Sequence, residues 1–471
     1  MKIYKLFIDE NIKTWKKFST KLVMILIILA LLAGLGMTKI TQFLDGSDDV
    51  GVGYSSDWKE DLEQDNELYK EQLEEPNMVK SEKEELQNKI RINEVRIQNN
   101  INTYYANWRN TVLNNMRYEI DEKLLDIVVK NDFDEYIKYE KNNEQQKLEQ
   151  KQISQEEYND NIQLLDLRIK YQIGNSENKT RKDSKEEYLE EIKSEQASIR
   201  TGIDYKTRKV LTVEQKKKYE DGIKLNIYKI ENNIENPNSS LTTNYRMIFE
   251  SLASSFVISV ISIFAMIMAG SAISSEISTG TIKFWALTPN KRWKILTAKV
   301  LSIFFYLIVI TLLMSILTVI CSNIFFNTNG YEYLFVKNGN VEKIGNTLFT
   351  IGYYFAKLVP VILFAIFALM LSVITRNTSV SLGLSLATYM GNSFVMLIIN
   401  SFIDKDWVKI IPFNNLDIAD KVFPNFQNII SAVDIVSADT TSLGFSLAVL
   451  GVCAILMFVT MYDSFNRRDI I

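Results

Sequence analysis

The sequence predicts an all-α membrane protein with six transmembrane helices and a helical, coiled-coil-like domain outside the cytoplasm. First, six segments are apolar over about 20 residues, the length that crosses a bilayer core. Second, residues 45–235 hold 43 acidic and 31 basic residues, whereas the remainder holds 14 acidic and 22 basic residues. Third, only three glycines and two prolines lie between Tyr54 and Asn238. This scarcity of helix breakers favours long helices over strands in the acidic region.

The six apolar segments are interpreted as membrane spans. They run approximately over Phe18–Ile40, Ile248–Ile273, Leu296–Phe326, Phe349–Ile374, Val380–Ile403 and Leu443–Tyr462. The first segment follows basic residues, as a secretory signal peptide does. No small-x-small cleavage site follows it, however, so a retained span is favoured over a cleaved signal peptide.

Lysine and arginine in the short connections predict the orientation. Basic residues concentrate before span one, between spans two and three, at the turn after span four, and after span six. They include Lys13, Lys16, Lys17, Lys21, Lys283, Lys291, Arg292, Lys294, Arg376, Arg467 and Arg468. Six crossings place all four regions on one side, which is therefore the predicted cytoplasmic side, with both termini. The richness in Lys, Asn and Ile points to a bacterial cell membrane.

Three regions follow from this topology. Residues 1–44 form an N-terminal interfacial segment and the first transmembrane helix. Residues 45–245 form the extracytoplasmic helical domain. Residues 246–471 form a five-helix transmembrane region with a cytoplasmic coupling segment at 274–299. Trp15, Phe18 and Leu22 recur at helical spacing, so the N-terminus is either an interfacial helix along the inner leaflet or the start of span one.

Capping boxes and apolar stripes predict the helices of the polar domain. The boxes pair Ser81 with Glu84, Ser154 with Glu157, Ser184 with Glu187, and Thr212 with Gln215. The longest stripe runs at three- and four-residue steps from Leu86 to Ile120. Turns are expected at Pro76, near Asn131 and at 174–176. Such narrow seams favour antiparallel pairing of helices in a hairpin or small bundle.

The composition argues against an enzyme. There is no histidine, which removes a common metal ligand and general base. Cys321 and Cys453 lie in separate apolar segments and are interpreted as packing residues. The sequence contains no Gly–Lys dipeptide and therefore no phosphate-binding P-loop. No cofactor, metal or nucleic-acid partner is predicted, and any ATP must be bound by another subunit.

The connection between spans two and three is the most informative stretch. Ser274 and Ser275 are expected to cap a short helix, with Glu276 in its first turn. Gly280 permits a break, and Pro289 ends the segment. One interpretation is a basic amphipathic loop that anchors the next helix at the lipid head groups.

The same stretch resembles the coupling segment of ABC-2 type transporter permeases. In this chain the pattern is Glu–x–x–x–Gly–Thr, then Leu–x–Pro–x–x–Arg, then a lysine that opens the next span. The residues that match or accompany it are Glu276, Gly280, Thr281, Lys283, Leu287, Pro289, Arg292 and Lys299. Six spans, cytoplasmic termini and the stretch at 411–413 after span five also fit the family. The large insertion between spans one and two is atypical for its drug and polysaccharide exporters.

The resemblance implies the permease subunit of an ATP-driven exporter of a peptide, drug or ion. A separate ABC ATP-binding subunit would receive the short helix in a groove. A second permease copy, identical or similar, would complete the pathway in the membrane lipid. Thr388, Asn392 and Ser393 are candidates for lining that pathway, although interhelical packing is favoured for Asn392. Lys357 is expected to reach outward to the interface or, alternatively, to serve transport.

A second class of function remains open. The chain could instead be a membrane-anchored sensor or scaffold whose outer helical domain binds a peptide or envelope protein without transport. Dependence on a partner that carries a P-loop distinguishes the two.

Overall fold

A computed structural model of the chain describes residues 3–47, 58–75, 78–175, 184–234, 245–281, 291–326, 332–403, 405–423 and 441–467. The chain divides into two compact units. One, called the membrane unit below, comprises Met1–Gln42, Tyr245–Leu334 and Lys343–Ile471. The other, called the helical unit, comprises Phe43–Asn244 and Phe335–Glu342.

Six helices in the described residues are long and apolar enough to cross a membrane. They are Thr20–Phe43, Tyr245–Ser271, Arg292–Phe325, Asn346–Thr375, Thr378–Phe402 and Leu443–Arg467, called spans one to six. The prediction of an all-α protein with six transmembrane helices and a further helical domain is confirmed. Each span lies within a few residues of its predicted position, because about 20 consecutive apolar side chains are a local property of the sequence.

Spans two and four pack together at the centre of the membrane unit. Small side chains such as Ala253 and Ala365 are fully buried between larger ones such as Tyr354. Hydroxyl groups inside the bundle donate to helix carbonyls, as Ser262 Oγ does to the carbonyl of Ile258 at 2.7 Å. These bonds satisfy polar groups that would otherwise be costly to bury in an apolar bundle.

The N-terminus forms its own helix, α1, over Ile3–Lys16, and the next helix, α2, runs over Phe18–Ser47. The Trp15 ring packs 5.0 Å from that of Tyr306 in span three. Phe18, in contrast, is 78 % exposed. The first helix ends between Trp15 and Phe18, so these two residues lie in different helices.

The helical unit contains eight helices among its described residues. They are α3 (Trp58–Leu73), α4 (Lys80–Gln98), α5 (Trp108–Asn115), α6 (Glu122–Lys130), α7 (Phe133–Glu149), α8 (Gln155–Lys170), α9 (Ser184–Thr201) and α10 (Val213–Glu231). The pairs α3–α4, α7–α8 and α9–α10 pack along their seams. In the last pair, Ile192 and Ile230 are fully buried.

The long apolar stripe from Leu86 to Ile120 is not one helix. Helix α4 ends at Gln98, Asn100 adopts a positive φ of 52°, and the amide of Ile101 donates to the carbonyl of Arg96 at 2.9 Å. The side chain of Asn107 then caps α5. Asparagine tolerates the left-handed conformation and competes for backbone bonds, so it ends a helix although the apolar spacing continues.

Of the predicted capping boxes, one is complete, one is half formed and one is wrong. The Thr212 and Gln215 side chains form the reciprocal capping box before α10, and Ser154 accepts from the amide of Glu157 at 3.1 Å before α8. Ser81 does not cap α4, because that helix already begins at Lys80. The capping position for Ser184 and the predicted turn at Pro76 depend on residues outside the described part. The predicted turn near Asn131 is confirmed by its left-handed conformation.

The connection between spans three and four contains a β-hairpin. Strands β1 (Tyr333–Lys337) and β2 (Asn340–Ile344) pair around Asn338 and Gly339, which both have positive φ. An Asn-Gly pair is suited to this tight hairpin turn. Between spans five and six, the described chain forms two 3-10 turns at Asp406–Ile410 and Pro412–Asn415 and a short helix, Ile418–Val422.

Candidate functional site

The predicted short helix follows span two directly. It spans Ser274–Ser278 and is called the short helix below. Ser274 and Ser275 do not cap it: their hydroxyls donate back to the carbonyls of Gly270 and Ser271. The hydroxyl of Ser372 in span four instead accepts from the amide of Ser274 at 3.0 Å. The expected local cap is thus replaced by a tertiary one, which ties the start of the short helix to span four.

A network of ion pairs holds the short helix from its inner side. The carboxylate of Glu276 lies 2.8 Å from the ammonium of Lys299 in span three and 2.7 Å from that of Lys13 in α1. Lys299 also lies 3.2 Å from Glu10. Glu276 and Lys299 are only 8 % and 4 % exposed. Four alternating charges therefore join α1, the short helix and span three.

The ion pairs shift the pKa values of Glu276 and Lys13, which both lie outside the spans. Burial by itself would raise the pKa of Glu276, but the charges and hydrogen bonds of Lys299 and Lys13 outweigh it and hold that pKa below its usual value. Burial by itself would lower the pKa of Lys13. The hydrogen bond to Glu276 and the charges of Glu10 and Glu276 outweigh burial and raise that pKa. Glu276 therefore stays ionised and Lys13 stays protonated, as an ion-pair lock requires.

The opposite side of the short helix is exposed in the part of the chain that the structure describes. Ser278, Thr279 and Thr281 are exposed, and Gly280 adopts a φ of +72° that turns the chain. Among the described residues, a Cβ atom on Gly280 would meet no atom within 4 Å, so the positive φ is the observed reason for glycine at this position. The hydroxyl of Thr281 donates to the carbonyl of Glu276 at 3.3 Å and closes the turn.

The seven predicted coupling residues other than Lys299 fall into three groups. Glu276, Gly280 and Thr281 lie in or directly after the short helix, but the carboxylate of Glu276 points inward to the ion pairs. Arg292 is the first residue of span three. Residues Lys283, Leu287 and Pro289 lie outside the described residues. Glu10 was missed by the sequence reasoning, because nothing in an N-terminal helix signals a partner almost 290 positions away.

The three predicted pathway residues are not brought together with polar groups of other spans in the described chain. Thr388 donates to the carbonyl of Leu384 at 2.8 Å, and Asn392 donates to that of Tyr389. Ser393 donates to Asn392 at 3.5 Å. Each bond stays within span five, so the favoured interhelical role of Asn392 gains no hydrogen bond here.

Lys357 points into the bundle rather than outward to the interface. Its ammonium donates to the hydroxyl of Ser255 at 3.2 Å and to that of Ser254 at 3.4 Å, both in span two, and lies 4.6 Å from the centre of the Tyr353 ring. It sits roughly 17 Å along span four from Asn346, at 1.5 Å per residue. An ammonium at such depth is costly without polar contacts.

A second buried polar cluster joins the starts of spans two and four and was not predicted. Glu250 accepts from Arg246 at 3.2 Å, from Asn346 at 2.8 Å and from Thr350 at 3.2 Å. Both charged side chains are almost completely buried. The spacing of Arg246 and Glu250 by four residues was the local signal, but the partners in span four are about 100 residues away.

Together, these features define a multi-pass helical membrane protein with a short helix locked at one end of span two. The chain belongs to the family described as "Protein of unknown function (DUF2705)", which matches residues 222–471, just over half of the chain. The matched part contains spans two to six and the short helix.

Two proteins of Bacillus subtilis (strain 168) are similar to this chain. "Uncharacterized protein YhcI" is 28 % identical over 260 residues, which cover 54 % of this chain and 76 % of that protein. "Uncharacterized membrane protein YdbK" is 25 % identical over 205 residues, which cover 44 % of this chain and 76 % of that protein. No solved structure matches the chain.

Proposed function

We propose that the chain is the membrane-spanning permease subunit of an ATP-driven ABC-2 type exporter in a bacterial cell membrane. The observation that carries this proposal is the short helix Ser274–Ser278. It presents an open side to a partner, and its other side is tied to α1 and to spans three and four by buried polar contacts. A displacement of the short helix would therefore be passed through these contacts to α1 and to spans three and four.

Span five would move together with span two. At the end of span two, a Cβ atom on Gly270 would lie 2.8 Å from a Leu382 methyl and 3.1 Å from the Ser381 hydroxyl. Spans two and five therefore approach each other as closely as a glycine allows at the short helix. A tilt of span two would be passed directly to span five, and two such chains would open or close a path between them.

The energy would come from a separate ABC ATP-binding subunit, because the sequence holds no P-loop. The basic connections predict that the short helix lies on the cytoplasmic side, where that subunit would also lie. The substrate would be a peptide, drug or ion. Lys357, with the two serine hydroxyls beside it, is the polar group in the described membrane unit best placed to meet a substrate between spans two and four.

The test is association with an ABC ATP-binding subunit, recognised as a co-purifying protein that carries a P-loop. Replacing both Thr279 and Thr281 by Asp should abolish co-purification and the ATPase activity that the complex gains, because the open side would carry two new charges. The matched control, Thr201→Asp at an exposed threonine of the helical unit, should leave both unchanged. Full association of the doubly substituted chain would contradict the proposal and favour the sensor or scaffold alternative.

Cysteine labelling tests the placement independently. In a chain with Cys321→Ser and Cys453→Ser, a Thr279→Cys substitution should resist a membrane-impermeant maleimide in intact cells and react after lysis. Thr201→Cys should react in intact cells. Labelling of Cys at position 279 from outside would overturn the topology and the proposal with it.

A further inference from the structure

A groove of about 480 Å³ lies between α1 and span three. Its volume falls within the range of small-ligand sites. The walls are mostly apolar, with a lysine at the edge: they include Phe7, Ile8, Ile12, Trp15, Lys16 and Phe305.

The groove is continuous with the lipid-facing surface of span three. Phe305 is 44 % exposed, and Leu301, Ile308 and Leu312 are exposed beside it at three- and four-residue spacing. Such a stripe on a membrane span is covered by acyl chains. An acyl chain that lies along this stripe would run directly into the groove. The occupant that this surface favours is therefore a membrane lipid.

Basic residues at the groove suit an anionic lipid head group. Lys16 lines the groove, and Lys13 and Lys17 flank that residue in the sequence. A lysine stem can lie along an apolar wall while its ammonium stays at the level of the polar head groups, where it attracts anionic lipid.

We propose that this groove binds one anionic phospholipid, with an acyl chain against Phe7, Ile12 and Phe305 and the phosphate at Lys16. The site has a consequence for the ion-pair network, because α1 also carries Glu10 and Lys13. Lipid in the groove contacts both α1 and span three and so holds them together. It thereby stabilises the ion pairs of Lys13 with Glu276 and of Glu10 with Lys299. The proposal needs the membrane placement of the chain but no ATP-binding partner.

Quenching of Trp15 fluorescence measures the occupancy. The full chain is reconstituted in vesicles of phosphatidylcholine that contain increasing fractions of dibrominated phosphatidylglycerol or dibrominated phosphatidylcholine. The signal of a Trp15→Phe chain is subtracted, since the protein has five other tryptophans. Half-maximal quenching of Trp15 is expected at an about fivefold lower fraction of the anionic lipid, the preference that one lysine near a membrane surface confers.

Two matched pairs of variants locate the lipid. Lys16→Glu should remove the preference for the anionic lipid, whereas Lys5→Glu, at an exposed position of α1 outside the groove, should keep most of it. Ile12→Phe should fill the groove and weaken quenching by both lipids. Ile25→Phe, on the exposed face of span one, should not. Lys16→Gln replaces Lys16→Glu if circular dichroism shows that the latter has lost helix.

Three results would overturn the proposal. Equal quenching by the two brominated lipids would show bulk lipid only. An equal loss of preference in Lys5→Glu and Lys16→Glu would show diffuse attraction to a basic helix. An Ile12→Phe chain that is quenched like the unsubstituted protein would show that no acyl chain enters the groove.

Discussion

The ion-pair network predicts a specific order of stability losses. Lys299 is 4 % exposed and contacts two carboxylates, those of Glu276 and Glu10. Removing one partner of a buried pair costs about 3–5 kcal/mol, because the other charge stays buried. Lys299→Met should therefore destabilise the membrane unit by about 3 kcal/mol, since Lys13 still neutralises part of the Glu276 charge. Lys13 is half exposed, so Lys13→Met should cost about 1 kcal/mol or less.

Removing both buried charges should cost less than removing one. In the double variant Lys299→Met with Glu276→Gln, no unpaired charge remains in the pair itself, and the loss should return to about 1–2 kcal/mol. The coupling energy between the two positions should thus be at least about 1 kcal/mol. Equilibrium unfolding of the full chain by SDS in mixed micelles, followed by circular dichroism, gives the four free energies of the cycle.

The pH dependence has a definite sign. The folded pKa of Glu276 is below its ordinary value of 4.5, so its stabilisation is complete above about pH 4.5 and is lost as the pH falls through the folded pKa. Glu276→Gln should flatten this acid limb. Two results would refute the network. One is a Lys299→Met chain that is as stable as the Lys13→Met chain. The other is a double variant whose loss in free energy of unfolding equals the sum of the losses of its two single variants.

Three further predictions concern other parts of the chain. Burial raises the pKa of Glu195 in α9 to about 8, and this side chain is almost completely buried. Its neutral form is favoured in the folded state, so stability should fall as the pH rises from about 4.5 to 8. Glu195→Gln should remove that fall, which is on the order of 5 kcal/mol at about 1.4 kcal/mol per pH unit, in thermal unfolding followed by circular dichroism. Gly280→Ala should destabilise the turn by about 1–2 kcal/mol, because Gly280 has a positive φ, and it should weaken co-purification with the ATP-binding partner. The control Gly36→Ala has open space around its Cβ position among the described residues and should not change co-purification. A Cβ atom on Gly352 would lie 3.2 Å from the Phe423 ring, so Gly352→Leu should displace the segment that carries Phe423 and speed its cleavage in limited trypsin digestion; an unchanged digestion rate would show that the ring is not held there.

The sequence alone determined the number of spans and most of the helix ends that depend on local chemistry. A span is about 20 adjacent apolar residues, so its free energy of transfer into a bilayer is nearly a sum over neighbours in the chain. The Thr212 capping box likewise involves residues three positions apart, and it forms as predicted. The apolar stripe after Leu86 did not predict the helix ends within it. The apolar spacing continues, but one helix ends before Asn100 and the next begins after Asn107.

Only the tertiary structure decided what the polar residues in and near the membrane contact. Glu276 lies 23 residues from Lys299 and 263 from Lys13, and Glu250 is about 100 residues from its partners in span four. The motif drew attention to Glu276 but could not show that its carboxylate faces inward. Hydrophobic burial acts on any apolar neighbour and can be added along a sequence, whereas a buried charge is stable only beside one particular partner, which the packing of distant helices must bring within about 3 Å.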